Sequence, residues 1–287
     1  MDFRLTEDQR ALRRGVRELL ARRFDREALR AAVSASSPSV DRGLWRELGA
    51  AGFFALRLPE TEGGVGLGLP EAVLVFEEAG RALLPGPLVA THGAAGSVPG
   101  AADGSVVVTS VEEGLVPWLD EADVVLGDVT GAVPVRSVDP LTPLHRVPRR
   151  VEPAGEAVLL TAAEQVGSSA ATTDAAVSHA RTRSQFGQVI GGFQAVKHLC
   201  AGMLVRTELA RAAVWAAAVT GDPVEIAGAK LLADEAAVGN ARDCLQVHGG
   251  MGFTWEADVH LHLKRAWVRA ELRMPAARAE ETVAAGL

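Results

Sequence analysis

The spacing of apolar residues changes twice along this chain, and the two changes limit what it can fold into. Near the N-terminus Leu12, Val16, Leu19, Leu20 and Phe24 recur at the three- and four-residue intervals of a helix with one buried face. Thr6, with Gln9 three residues on, forms a capping box that starts this helix. Asp41 is placed to cap a second one carrying Leu44, Trp45 and Leu48, which closes near Gly52. A helix over residues 71–83 follows, then a Pro-Gly-Pro break at Pro85 and a short apolar helix to about Gly96. From Asp103 the texture becomes that of short strands: SVVVTSV, ADVVLGDV, GAVPVRSV, HRVPRRVE and EAVLLTA are β-branched or apolar runs cut by Gly, Pro and Asp. Pro134, Pro140, Pro143, Pro148 and Pro153 favour edges and turns over a long central sheet, so a small antiparallel β unit is expected. From about Ala157 the helical period returns. One helix should run to Thr182 and a second over 193–220. Asp222-Pro223 opens a third towards Leu245, and a last one carries Val259, Leu261 and Leu263. The expected fold is mostly α: an N-terminal helical domain (1–102), a small middle β domain (103–154) and a C-terminal four-helix bundle (155–287).

A chain of 287 residues, 48% hydrophobic, can bury a substantial core. Its formal charge of −7 gives no electrostatic reason to expect a nucleic-acid or membrane partner. No stretch is long and apolar enough to span a bilayer, and the charged, amphipathic N-terminus lacks the apolar core of a signal peptide. Cys200 and Cys244 suit a reducing compartment, so a cytoplasmic location is expected, with no metal site. The glycine-rich PETEGGVGLGLPEA from Pro59 reads as a helix-to-helix loop, because a phosphate loop wants a preceding strand and a Lys-Ser/Thr pair.

Two later stretches carry more. In HARTRSQFGQVIGGFQAVKHLCAGM, from His179, a basic residue, a Phe-Gly turn and a Phe-Gln pair lead into a helix. In CLQVHGGMGFTWE, from Cys244, a Gln precedes a glycine cluster that lets backbone approach a ligand. Together and in this order they resemble the acyl-CoA dehydrogenases, flavoenzymes that desaturate acyl-CoA thioesters between Cα and Cβ. The helical–β–helical layout resembles that family too. In the family, the C-terminal bundle of one subunit reaches the ADP half of a neighbour's FAD. The resemblance implies that Arg183 meets the pyrophosphate, for which a fork-shaped cation is the fitting group. It likewise implies that Phe186 and Gln194 lie by the adenosine, and that Gln246, Gly249 and Gly250 form a second contact. Singly, each has a plain structural reading: a surface Arg, a core-and-rim Phe-Gln pair, a helix C-cap at His248.

Two parts of the family pattern are missing. The middle segment is too short for the family β-barrel, and neither of its flavin-holding stretches, TEPxAGSD-like or WITN-like, is found in the sequence. The reaction also needs a carboxylate within reach of the Cα proton. At the commoner family position, after the triplet Lys264-Arg265-Ala266, the register falls on Arg273, with Glu271 two residues out. At the rarer one it falls on Ala157, and Glu156 beside it is rotated by about 100° on a helix. The resemblance therefore implies a degenerate subunit of a heteromeric FAD-dependent acyl-CoA dehydrogenase, with no catalytic residue of its own. A longer paralogue would supply the flavin cradle and the glutamate in a two-plus-two heterotetramer. Such pairs are best known in the breakdown of steroid side-chain thioesters. Leu199, Met203, Leu209, Leu231, Leu232 and Leu245 add more apolar surface than one small bundle needs, which suits such an assembly. Two alternatives stand beside it: a non-catalytic scaffold of the same family, and a different enzyme using His92 or His145 as acid or base.

Overall fold

Short polar side chains start the first three helices in the computed structural model, which describes residues 4–286. At α1 (Glu7–Arg23) the Thr6 hydroxyl accepts from the Gln9 amide at 3.1 Å, and the Thr6 amide donates to Gln9 Oε1 at 3.0 Å. Asp41 caps α3 (Arg42–Ala50) by accepting from the amides of Gly43 and Leu44. Between them lies α2 (Arg26–Ser34), capped by Asp25 through the Ala28 amide at 2.9 Å, where the sequence signalled no helix. Then come α4 (Leu69–Arg81), with a proline in its first turn, and α5 (Leu88–Ala94). Trp45, Phe53, Phe54 and Phe76 form an aromatic centre here, with the Trp45 and Phe54 ring centroids 4.8 Å apart.

The central element is α6 (Gly155–Thr182), buried on nearly every side over its first half. It crosses α4 backbone to backbone. A Cβ on Gly80 would stand 2.0 Å from the Glu164 carbonyl oxygen, and one on Gly167 would stand 1.9 Å from that of Glu77. Any larger residue at either position would push the two helices apart. The buried hydroxyls of Thr172 and Thr173 are satisfied by carbonyls one turn back, at Ser168 and Ser169. Beside α6 lie α7 (Gln194–Thr220), which ends at Gly221, and α8 (Pro223–His248), capped by Asp222. Asn240 joins all three: its Nδ2 donates to the Met203 carbonyl at 2.9 Å and to Thr207 Oγ1 at 2.8 Å, and contacts Thr173 Oγ1 at 3.1 Å. A single core runs from Leu48 and Phe76 through Leu159 and Val166 to Val214 and Ile226, so the N-terminal helices and the bundle share their apolar interior. The helix expected to be last, α9 (Val259–Glu271), is followed by α10 (Ala276–Ala285), which packs on α8.

The middle segment holds five three-residue strands: β1 (Val108–Ser110), β2 (Leu115–Pro117), β3 (Val124–Leu126), β4 (Val133–Val135) and β5 (Leu144–Arg146). β5 lies between β2 and β4 in antiparallel register, as expected. β1 and β3, however, pair in parallel, Val108 opposite Val124. The left-handed residue Trp118 (φ 60°) and the 3-10 turn after it redirect the chain between them, and no local spacing announces that reversal. A second correction concerns EAVLLTA. It forms the opening turns of α6, not a strand, because a short apolar run fits a fully buried helix as well as a buried strand. No helix among the described residues is long and apolar enough to cross a membrane.

Candidate functional site

Arg183 is the C-cap of α6, and its amide donates to the His179 carbonyl at 2.9 Å. The chain then turns back through a hairpin of β6 (Ser184–Gln185) and β7 (Gln188–Val189), Ser184 opposite Val189. Both residues at the turn have positive φ, Phe186 at 52° and Gly187 at 82°, the pattern of a tight type I′ hairpin. Glycine adopts this freely, whereas an L side chain pays about 1–2 kcal/mol. Phe186 is nevertheless placed there, with its side chain 92% exposed and its ring edge-on to Phe193 at 6.1 Å. The Ile190 amide closes the loop on the Arg183 carbonyl at 2.8 Å. Gln194, exposed, opens α7.

The second stretch begins where α8 ends. Gln246 is exposed on its last turn, and Gly249 (φ 61°, ψ −145°) breaks the helix in a conformation that side chains rarely allow. Gly249 thus has a reason internal to the fold. For Gly250 there is none, since no protein atom lies within 4 Å of where its Cβ would stand. The 3-10 turn Gly249–Phe253 and the residues after it expose Phe253 (71%) and Trp255 (62%). Arg26 Nη2 donates to the Glu256 carbonyl at 3.0 Å, Arg30 donates to that of Trp255, and both arginines pair with Asp258. The fold brings the two stretches to one end of the bundle, where the imidazoles of His179 and His248 stack with centroids 4.1 Å apart. Burial, then the charges of His248 and Arg183, hold the His179 imidazole below its usual value.

The carboxylates near the family base positions lie elsewhere. Glu156 is on the first turn of α6, roughly 40 Å along that helix from Arg183. Its carboxylate pairs with Arg57 and stands 3.4 Å from His92 Nε2. Burial pushes its pKa up, but the hydrogen bonds from His92 and Arg57 and their charges outweigh that and hold it below the usual range. The three residues line a cavity of about 420 Å³ with Phe54, Leu58 and Leu160. His145, on β5, stands 3.8 Å from the exposed Asp120. Glu271 is exposed at the end of α9.

Arg273, the residue on which the resemblance puts the commoner base position, is buried. Its Nη2 lies 2.7 Å from Glu112 Oε1, and its Nη1 lies 3.3 Å from Thr161 Oγ1. It ends a row: Arg265 pairs with Asp139, and Arg269 Nη2 reaches Glu164 Oε1 at 2.7 Å, every side chain less than a tenth exposed. The row lines a small cavity together with Trp118 and Thr142. Four-residue spacing of arginines in a sequence does not by itself distinguish such a buried row from a solvated face.

Residues 6–105 match the acyl-CoA dehydrogenase N-terminal domain, and residues 156–273 match the acyl-CoA dehydrogenase C-terminal domain. The chain is also 38% identical to acyl-CoA dehydrogenase IpdE2 of Mycobacterium tuberculosis over 93% of each protein. It belongs to the acyl-CoA dehydrogenase family. Within that family it is 34% identical to IpdE2 of Mycolicibacterium smegmatis, over 94% of this chain and 96% of that one. Acyl-CoA dehydrogenase FadE34 of M. tuberculosis is 33% identical over 91% of this chain but only 45% of its own length. Among solved structures, a steroid ACAD, Tcur3481–Tcur3483 (G363A variant), superposes with a TM-score of 0.85 at 25% identity over 97% of both chains. The ChsE4–ChsE5 complex of M. tuberculosis superposes at 0.87 with 22% identity over 99% and 98%, a likeness of fold.

Proposed function

We propose that this chain is the short subunit of a heteromeric FAD-dependent acyl-CoA dehydrogenase that desaturates a steroid-derived acyl-CoA thioester. It would complete the ADP side of a FAD whose flavin cradle, and whose catalytic glutamate, belong to a longer family member. The observation that carries this reading is the contrast between the two ends of the molecule. The position in register with the base holds a buried guanidinium already paired with Glu112, and guanidinium does not accept a proton. At the other end, Arg183, Phe186, Gln194 and Gln246 stand exposed.

These residues fit the adenosine diphosphate half of the cofactor. Arg183 offers a planar fork to the pyrophosphate, Phe186 an aromatic face, Gln194 and Gln246 amides, and the open ground above Gly249 and Gly250 lets backbone come close. When bound, the flavin supplies the hydride acceptor. The three-residue strands of the middle segment offer little to hold its ring. The steroid ACAD among the structural relatives supports a steroid side-chain thioester as substrate.

The α7 surface supports an assembly. Of the residues expected to be left over for it, Met203 and Leu245 are buried inside this chain and Leu199, Leu231 and Leu232 are half-buried, but Leu209 is 55% exposed, and Val205 beside it is 65% exposed. Co-expression with a full-length family member from the same genome should give a two-plus-two complex by native mass spectrometry. Acyl-CoA desaturation should be found only in that complex. A complex that forms without binding FAD or turning over substrate would point instead to a scaffold.

A further inference from the structure

The two stretches assigned above to the cofactor come from different helices, and glycines interrupt both. The hairpin turns on Gly187, and the loop after α8 starts with Gly249-Gly250. Among the ring contacts of the described residues, one joins the two helix ends that carry them. His179 lies one turn before Arg183, and the Arg183 amide bonds its carbonyl. His248 is the last residue of α8, immediately before Gly249. Their rings stack at 4.1 Å with an interplanar angle of 20°.

The His248 ring is itself fixed. Its Nδ1 lies 2.8 Å from the Cys244 carbonyl oxygen one turn back, and a carbonyl can only accept, so Nδ1 is the donating nitrogen. The loop also folds over it: a Cβ on Gly252 would stand 3.0 Å from that of His248. The far side of the same loop is tied down separately, by Arg26 and Arg30 on α2. Of these two anchors, the imidazole stack is the one that reaches α6 and hence Arg183.

We infer that the His179–His248 stack is a latch that sets the position of the Gly249–Phe253 loop relative to Arg183 and the Phe186 hairpin. The two halves of the cofactor contact are thereby aligned before FAD arrives. Both are positioning residues: neither needs to touch the cofactor, and the gain is the ordering that binding no longer has to supply. The link to FAD rests on the function proposed above, whereas the mechanical link between the two segments does not.

Amide hydrogen exchange separates these two claims. In His179→Ala, exchange in residues 249–253 should speed up although the substitution lies on another helix. His179→Phe, which keeps a flat ring to stack, should restore protection. In the FAD-bound complex, His179→Ala should release FAD faster by roughly two- to tenfold, the scale of one lost ring pair, and His179→Phe should release it as wild type does. Arg26→Ala frees the other side of the loop and should leave exchange in the 184–189 hairpin unchanged. Unchanged exchange at 249–253 in His179→Ala overturns the latch, as does a Phe variant as loose as the Ala variant. Faster exchange with unchanged FAD release overturns the positioning role. If Arg183→Ala also left FAD release unchanged, the cofactor assignment itself would fall.

Discussion

Arg273 Nη2 lies 2.7 Å from Glu112 Oε1, with both side chains about 95% buried. The pair joins the segment after α9 to the β unit, at the position where a catalytic subunit of this family is expected to hold its glutamate. Removing one member of a buried pair leaves the other charge uncompensated, which typically costs about 3–5 kcal/mol. Glu112→Ala should therefore lower unfolding stability by about that much, measured by urea denaturation. Arg273→Glu would set a carboxylate against Glu112, so a similar loss is expected and no dehydrogenase activity in the isolated chain.

How much of this was legible in the sequence follows from the distance over which each feature is decided. The caps at Thr6, Asp41 and Asp222 are settled within three residues, and all three stand where the sequence puts them. The Phe186-Gly187 turn is equally local. No helix was expected over residues 26–34, because α2 follows α1 almost at once and shares its run of alternating charge and alanine. The parallel pairing of β1 with β3 depends on register between strands, which no local pattern encodes. The buried arginine row depends on partners far off in sequence, 126 residues for Arg265 and Asp139 and 105 for Arg269 and Glu164. Spacing alone could not separate that row from a solvated face. His179 and His248 likewise meet only because α6 and α8 end together.

Glu156 has a structural task in this account. Glu156→Gln should leave turnover of the complex nearly intact, and a loss of several powers of ten with FAD still bound would show that this chain carries the base. The substitution should also change acid stability in a definite direction. The folded carboxylate is held below its ordinary value of 4.5, net of burial, by His92 and Arg57. The unfolded chain therefore takes up a proton first, and the stabilisation is present above that value and lost as pH falls through the lower folded one. Wild type should exceed Glu156→Gln in stability at neutral pH, and the gap should close in acid. Denaturation curves at neutral and acidic pH test the sign.

Phe186 holds a left-handed conformation at 92% exposure, a cost set within this chain against one edge-on contact with Phe193. Phe186→Gly should leave the isolated chain at least as stable by thermal denaturation. In the complex it should weaken FAD retention, since the exposed face of the ring is assigned to the cofactor there. Equal FAD retention by both proteins would leave the ring without the assigned role.

Arg183→Ala should weaken FAD retention in the complex while leaving assembly intact. One charge-assisted contact to phosphate is worth roughly 1.5–3 kcal/mol, on the order of ten- to a hundredfold in affinity. Titration of the apo complex with FAD gives the ratio directly. Lost assembly would instead assign Arg183 to the subunit contact.

The central claim is that one cofactor site is divided between two unlike chains, and the flavin content of purified protein tests it most directly. Flavin absorbance against quantitative amino-acid analysis should give a colourless chain when it is expressed alone. The complex with its longer partner should hold one FAD for each pair of chains. One FAD per chain in the complex, or a yellow protein from this chain alone, would contradict the division.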